Sequence, residues 1–246
     1  MRRIISVSKE GIVTKEVLDY IRQHRYIWWS LFLPCYLAAF FTIEHFITTD
    51  YWATQTVLDS YIPFCEFFAP VYVSWSPMLV AVGLYLLIKD PENFRRFVWM
   101  LMLAFGTATL ICILIPNGQD LRPVIMPRDN LCSWIVAYTY SIDTNTNVFP
   151  SVHVLGVFSI WCAVRRTPEL QKRAWTIGIA VWGILVIAST LFIKQHACID
   201  VLAAVPVAAL AYGIVYGIIG KKRDRMHIYK CKEGKTYGEL DNLPPV

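Results

Sequence analysis

"NVFPSVHVLGVF", residues 147–158, decides the fold of this chain. Proline, serine and histidine open an apolar run that continues to about Val164 and is short for a bilayer crossing, which needs about 20 apolar residues. Five further apolar runs flank it, at about Ile27–Ile47, Ala69–Ile88, Phe97–Ile115, Ala174–Ile193 and Ala197–Ile219. If the run from Val148 to Val164 crosses, the chain has six spans and both ends on one side. If it re-enters instead, the loop that follows it lies outside.

Charge separates the two cases. Short cytoplasmic loops collect Lys and Arg. With the N-terminus inside and six crossings, the inside receives Arg2, Arg3, Lys9, Lys15, Arg22 and Arg25 from the N-terminal arm, then Lys89, Arg95 and Arg96 after the second run. It also receives Arg165, Arg166, Lys172 and Arg173 after the fourth run, and Lys221, Lys222, Arg223, Arg225, Lys230, Lys232 and Lys235 from the tail. The outside keeps only Arg122, Arg128 and Lys194. A re-entrant fourth run would place four of these cations outside and weaken the asymmetry, so the reading is an all-α membrane protein of six transmembrane helices with cytoplasmic N and C termini.

Composition agrees. Hydrophobic residues make up 56% of the 246 residues and charged ones 17%, where a soluble domain carries about a quarter. Many of the 9 Trp and 13 Tyr sit near the ends of the apolar runs, where amphipathic rings meet the membrane interface. The chain divides into a charged amphipathic arm over 1–25, a membrane domain over 26–220 and a basic tail over 221–246. No cleavable targeting segment is expected, and the first span acts as its own insertion signal. The net charge of +5 is thus a topology signal and does not point to nucleic acid; the tail is placed to touch anionic lipid heads. The seven cysteines are scattered with no CxxC pair, which suggests neither a disulfide framework nor a metal site, although Cys65, Cys132 and Cys198 share the outer side and leave a bridge open.

Two outer segments stand out. Residues 48–70, "TTDYWATQTVLDSYIPFCEFFAP", are amphipathic without a basic residue and are expected along the interface. The loop from Pro116 to Asn147 is the longest and contains "LCSWIVAYTYSI", read as a short interfacial helix. A long loop in a compact protein is a functional candidate.

The outer polar residues converge from distant stretches. Arg122 and Arg128 lie in "DLRPVIMPRDN", Lys194 in "STLFIKQHACIDV", His153 at the outer start of the fourth run, and His196 and Asp200 at the start of the sixth. His196 and Asp200 are four apart, which on a helix puts them on one face. The carboxylate then orients one ring nitrogen and leaves the other's lone pair outward, the base half of a catalytic triad. "FPSVH" reads as a helix start whose free N–H groups suit an anion such as phosphate, with Ser151 either capping the helix or donating to the anion. His45, beside Glu44 at the outer end of the first span, either packs at the interface or lines a substrate entrance. His24 and His227 fall on the inner side, away from this chemistry.

These residues resemble the type 2 phosphatidic acid phosphatase superfamily, whose motifs read KxxxxxxRP, PSGH and SRxxxxxHxxxD. The second is matched by Pro150-Ser151-Val152-His153, the third by Ser189-Thr190, five residues, then His196 and Asp200, and the first in part by Arg122-Pro123. Ile115 stands in place of the first motif's lysine, Thr190 in place of the third's arginine and Val152 in place of the second's glycine. Arg128 and Lys194, the other outer cations, are expected to substitute by charge balance. The relaxed third motif also resembles lipid phosphotransferases that make inositol phosphorylceramide or sphingomyelin.

The resemblance implies a lipid phosphate or diphosphate phosphatase that uses no metal or other cofactor and works through a phosphohistidine. His196 would be the nucleophile, Asp200 its orienting acid and His153 the general acid and base. Arg122, Ser151, Lys194 and Arg128 would hold phosphate. The partners implied are the bilayer and a lipid phosphate, with no nucleic acid; the oligomeric state stays open. The site would lie on the extracytoplasmic face of a multi-pass protein of the cell membrane. Transfer of the headgroup to an alcohol, or a catalytically silent lipid-phosphate binder or transporter, are the alternatives.

Overall fold

The computed structural model describes residues 25–46 and 50–219, and the chain there is mostly helical. Apart from Arg25, the expected N-terminal arm lies outside the described residues, as do Ile47, Thr48, Thr49 and the C-terminal tail with Cys231 and His227. A 3-10 turn, Arg25–Leu31, leads into α1, Phe32–Phe46. A two-residue strand β1, Trp52–Ala53, and 3-10 turns at Val57–Tyr61 and Glu66–Phe68 precede α2, Ala69–Val73, and α3, Trp75–Lys89. Then follow α4, Pro91–Leu114; β2, Asn117–Gly118; α5, Leu131–Ile142; α6, Val152–Arg166; α7, Arg173–Phe192; and α8, Cys198–Tyr212, which passes into a π-helical turn, Gly213–Ile219.

Among the described residues, five helical stretches are long and apolar enough to cross a bilayer, which makes the chain a multi-pass membrane protein: Tyr26–Phe46, Glu66–Lys89, Pro91–Leu114, Arg173–Phe192 and Cys198–Ile218. They correspond to five of the six expected runs. The fourth run forms α6, whose 15 residues span only about 22 Å at 1.5 Å per residue, against about 30 Å of hydrocarbon. It begins at Val152 rather than Val148 because the preceding backbone is not helical: Asn147 has a positive φ of 57° and Ser151 is extended at φ −62°, ψ 115°.

Short as it is, α6 is the axis of the fold. It packs against α3, α4, α7 and α8, and His153, Leu155, Ser159, Ile160 and Ala163 are among its buried positions. A helix buried on most sides belongs in a core. Lipid tails are as apolar as leucine, so close packing between helices, rather than escape from water, must hold such a bundle together. Gly156 and Gly183 show the fit: a Cβ on Gly156 would come within 2.7 Å of the Trp75 indole, and one on Gly183 within 2.6 Å of Val157. Gly156→Ala is therefore expected to destabilise the protein by about 1–3 kcal/mol, since Trp75 is wedged between α6 and Phe105 and cannot yield cheaply. Thermal unfolding in detergent measures this.

The two ends of the bundle differ. At one end, Asp90 caps α4 by accepting from the Asn93 N–H at 3.0 Å, and the Asn93 amide donates to Thr167 Oγ1 at 2.6 Å and to the Ala163 carbonyl at 2.9 Å. This end gathers Lys89, Arg95, Arg96, Arg165 and Arg166, and Arg166 reaches the Tyr212 hydroxyl at 2.7 Å. The opposite end carries the start of α6, the α7–α8 turn and the long loops.

Those loops fold onto the helix ends. β1 pairs in parallel with β2, Trp52 opposite Asn117 and Ala53 opposite Gly118, and Gly118 forms a bridge to Thr146. The segment predicted as an interfacial helix is α5; Asn130 caps it, accepting from the Ser133 N–H at 2.9 Å, and it packs on α2. Cys65, Cys132 and Cys198 are free thiols. His45 rests edge-on against Phe46, while its neighbour Glu44 is buried and accepts from the Thr144 N–H at 2.6 Å.

Candidate active site

The site is built where α6 begins. Ser151 occupies the N-cap position but makes no capping bond. Its hydroxyl is fully buried and unpartnered, while its N–H donates to the Asp200 carbonyl at 3.0 Å. The first intrahelical bond of α6 runs from the Leu155 N–H to the Ser151 carbonyl, so the N–H groups of Val152, His153 and Val154 precede the ladder, as at any helix start. Of the two roles the sequence leaves open for Ser151, capping is not the one adopted.

His153, the second residue of α6, is 7% exposed. Its ring lies between Tyr72 and Trp75, with centroids at 4.6 and 4.5 Å. Its Nδ1 meets His196 Nε2 at 3.1 Å, the rings nearly perpendicular at 68°. Two histidines separated by 43 positions thus touch through their ring nitrogens.

His196 sits in the turn between α7 and α8. Lys194 takes a positive φ of 55°, and the N–H groups of Gln195 and His196 both donate to the Thr190 carbonyl, at 2.9 and 3.1 Å. Thr190 turns its own hydroxyl back to the Ile187 carbonyl, so its side chain serves the helix. The Asp200 carboxylate is fully buried. One oxygen accepts the Ala197 N–H at 2.7 Å and lies 3.4 Å from His196 Nδ1, a contact too poorly aligned for a hydrogen bond; the other oxygen is unpartnered. The sequence spacing predicts His196 and Asp200 on one helix face with a hydrogen bond between them; His196 instead lies in the turn before α8, which starts at Cys198, and its ring stands near the Asp200 carboxylate without that bond.

The four expected phosphate-holding residues separate. Ser151 directly precedes the histidine-bearing turn of α6. Arg122 packs over the Tyr140 ring, 4.2 Å from its centroid, and donates to the Asp143 and Thr144 carbonyls at 2.7 and 2.5 Å and to Gln195 Oε1 at 2.6 Å. Its Nε is buried without a partner. Burial lowers the Arg122 pKa, and the nearby Asp143 carboxylate works against that shift. Gln195, adjacent to His196, links Arg122 to Asp143 by donating to its carboxylate at 2.7 Å, and the Tyr72 hydroxyl donates to the same carboxylate at 2.9 Å.

Arg128 and Lys194 are placed elsewhere. Arg128 is exposed and forms a two-pronged ion pair with Glu66 at 2.8 and 2.7 Å; that carboxylate raises the guanidinium pKa. The Lys194 ammonium, on a 7% exposed residue, donates to the carbonyls of Asp59 and Ile62 at 2.9 and 2.5 Å. The physical reason is local: the loop over residues 59–62 folds onto the α7–α8 turn and its carbonyls need donors away from water. The substitution expected from charge balance counted cations on one side of the membrane without knowing which already had oxygens to serve.

Asp59 completes that clasp. Its carboxylate accepts the Cys198 N–H, the Thr56 N–H and the Thr56 hydroxyl at 2.7, 2.7 and 3.0 Å. Burial pushes the Asp59 pKa up, but these donors outweigh it and hold the carboxyl below its ordinary range. The clasp pins both sides of His196, and the turn is tied further by the Gln119 amide to the Lys194 carbonyl and the Tyr140 hydroxyl to the Ile193 carbonyl. Asp59→Asn is expected to cost about 2 kcal/mol of stability, the worth of hydrogen bonds to a buried charge, measured as a lower unfolding temperature.

Tyr72, Trp75, Asp143, Gln195 and Asp59 were not anticipated as parts of this site. Gln195 stands next to a candidate histidine, and that adjacency was the signal available. Tyr72 and Trp75 sit at the outer end of a span, where aromatic residues are ordinary. Among the described residues no group of three or more His, Cys, Asp or Glu is placed to hold a metal ion.

Comparison with known proteins yields a family match. A family model described as PAP2 superfamily matches residues 118–224, from β2 through α5, α6, α7 and α8, and thereby includes His153, His196 and Asp200. No curated protein and no solved structure matches the chain.

Proposed function

We propose, from the premise that the chain belongs to the PAP2 superfamily over residues 118–224, that it is an integral membrane phosphatase of lipid phosphates or diphosphates acting through a phosphohistidine. The observation that carries the reading is the 3.1 Å contact between His153 Nδ1 and His196 Nε2, with Asp200 behind His196 and the unpartnered Ser151 hydroxyl at the same helix start.

The roles follow from which atoms face which. Asp200 favours a proton on His196 Nδ1, leaving the Nε2 lone pair as the nucleophile. Nε2 attacks phosphorus, the P–N bond forms, and the bond from phosphorus to the leaving oxygen breaks. His153, protonated, gives its proton to that oxygen. In the second step His153 takes a proton from water, the water oxygen attacks phosphorus, and the P–N bond breaks to return His196. With the two ring nitrogens 3.1 Å apart, an entering phosphoryl group must part them, which brings phosphorus within reach of both. Charge spreading over the equatorial oxygens in the transition state would be met by the Ser151 hydroxyl, the first-turn N–H groups of α6 and Arg122 through its spare Nε. Lys194 and Arg128, in this reading, act by holding the loops around the site.

The membrane setting belongs to the same proposal. Six crossings, with α6 as the fourth, put both termini in the cytoplasm and the histidines at the extracytoplasmic face of the cell membrane. A short central helix leaves its N-terminus below the outer headgroups, where a lipid phosphate can meet it while the hydrocarbon stays in the bilayer.

Purified protein in detergent tests this against phosphatidic acid, prenyl diphosphates and sphingolipid phosphates without added metal. Release of free phosphate supports the proposal. Headgroup exchange with an alcohol and no phosphate release would make the protein a transferase. Binding without turnover would make it a silent lipid-phosphate binder.

A further inference from the structure

The proposed cycle needs a charge at His153 that its surroundings do not supply in the usual way. The imidazole must be protonated before the leaving oxygen departs, yet the residue is buried, and a buried charge without a partner is costly. His196 has the Asp200 carboxylate 3.4 Å behind it. The hydrogen-bond partner of His153 among the described residues is His196 Nε2, another imidazole. No described carboxylate pairs with it.

Its other neighbours are aromatic. The ring centroids of Tyr72 and Trp75 lie 4.6 and 4.5 Å from its own, tilted by 33° and 44°, nearer to stacked than to edge-on. A cation within about 6 Å of an aromatic centroid is drawn to the ring's negative face, and more strongly where water is excluded. An imidazolium spreads its charge over the whole ring, so both neighbours act on it.

Several groups hold the two rings in place. The Tyr72 hydroxyl donates to the Asp143 carboxylate at 2.9 Å. Ser74, between the two aromatics, accepts from the Trp182 indole N–H at 3.0 Å, which ties the junction of α2 and α3 to α7. Gly156 lies one turn along α6 from His153, and its missing side chain leaves the room that the Trp75 indole fills beside the histidine. A ring quadrupole acts only in the right orientation, and these ties fix it.

We infer that Tyr72 and Trp75 are positioning residues of the reaction, whose rings hold the proton on His153 in place of a carboxylate until the leaving oxygen takes it. The inference rests on the proposed lipid-phosphate activity. The ionisable groups around His153 come from each element packed on it. His196 faces it from the α7–α8 turn with Asp200 of α8 behind. Tyr72 faces it from α2 with Asp143 behind, and Gln195 links that carboxylate to Arg122. α4 brings Cys112, whose thiol donates to the Phe149 carbonyl at 3.3 Å. The ionisable side chains of α3 and α7 (Tyr85, Lys89 and Arg173) lie in the far halves of those helices.

The pH dependence of kcat/KM tests this, with purified protein in detergent and the lipid phosphate of the panel above that it hydrolyses fastest. The alkaline limb marks loss of the proton that the histidine pair must carry. Losing a ring disfavours the imidazolium, so the proton leaves at lower pH and the limb moves down. Tyr72→Leu should move it down by about one pH unit. Tyr72→Phe keeps the ring without the hydroxyl and should leave the limb within about 0.3 unit of wild type. With an aryl phosphate, whose leaving group needs no proton, the deficit of Tyr72→Leu should be the same at every pH. Circular dichroism and unfolding temperature show whether each variant folds. Where Tyr72→Leu does not, Trp75→Phe decides, since it exchanges the strongest cation-binding ring for a weaker one and should lower the limb by about half a unit. A limb unmoved in the deciding variant, or moved as far by Tyr72→Phe as by Tyr72→Leu, overturns the role of the rings and leaves the phosphatase reading standing. Wild-type protein that turns over no lipid phosphate overturns that reading and this inference with it.

Discussion

His196→Ala is expected to abolish lipid-phosphate turnover, by at least about a thousandfold in kcat, with little change in the helical fold. The magnitude follows from removing a nucleophile, after which the residual binding groups supply only part of the acceleration. The fold should survive because the α7–α8 turn is held mainly by other groups. The Thr190 carbonyl accepts backbone N–H groups, Lys194 binds the Asp59 and Ile62 carbonyls, and Asp59 accepts the Cys198 N–H. The imidazole itself makes one hydrogen bond, to His153. A side chain whose role was packing would show the reverse: a lower unfolding temperature with modest change in rate. Circular dichroism and phosphate release on the same preparation separate the two.

His153→Ala should show a loss that depends on the leaving group. With a lipid alkoxide leaving, loss of the general acid is expected to lower kcat by about a hundredfold to ten-thousandfold. With an aryl phosphate, whose phenolate leaves without a proton, the deficit in the first step should fall below about tenfold. A burst of aryl alcohol would then precede slow hydrolysis of the intermediate, because His153 also activates water. This pattern distinguishes His153 from His196, whose loss should be as severe for both substrates. Equal deficits for His153→Ala on the two substrates would remove it from the role of acid.

The legibility of this molecule in its sequence follows the physics of each part. Long apolar runs bounded by aromatic and basic residues declare themselves, and five of them are found as helices of spanning length. The fourth run was harder because its helix is buried by protein. Inside a bundle, the neighbours of α6 replace lipid, so Ser159 and Gly156 can interrupt the apolar pattern and the helix can be short. The contact between His153 and His196 was legible because motif order and side of the membrane constrain both residues. Hydrogen-bond partners were not. Lys194 and Arg122 carry the same charge on the same side, but the first is used up on loop carbonyls while the second keeps a free Nε. Such differences arise from where the long outer loops fold, and those loops have no periodicity to read. Asp59 shows this most clearly, since its partner Cys198 lies 139 positions away.

The central claim is that phosphorus passes through a covalent bond to His196, and trapping that bond is its most direct test. Purified protein would be mixed with a lipid phosphate carrying radiolabelled phosphorus and quenched in alkaline denaturant within a turnover. His153→Ala would be used to slow breakdown of the intermediate, with an aryl phosphate as donor. The account predicts label on the protein that survives base, is lost in acid, and maps to the peptide containing His196. Label on another residue, or full turnover by His196→Ala, would contradict it.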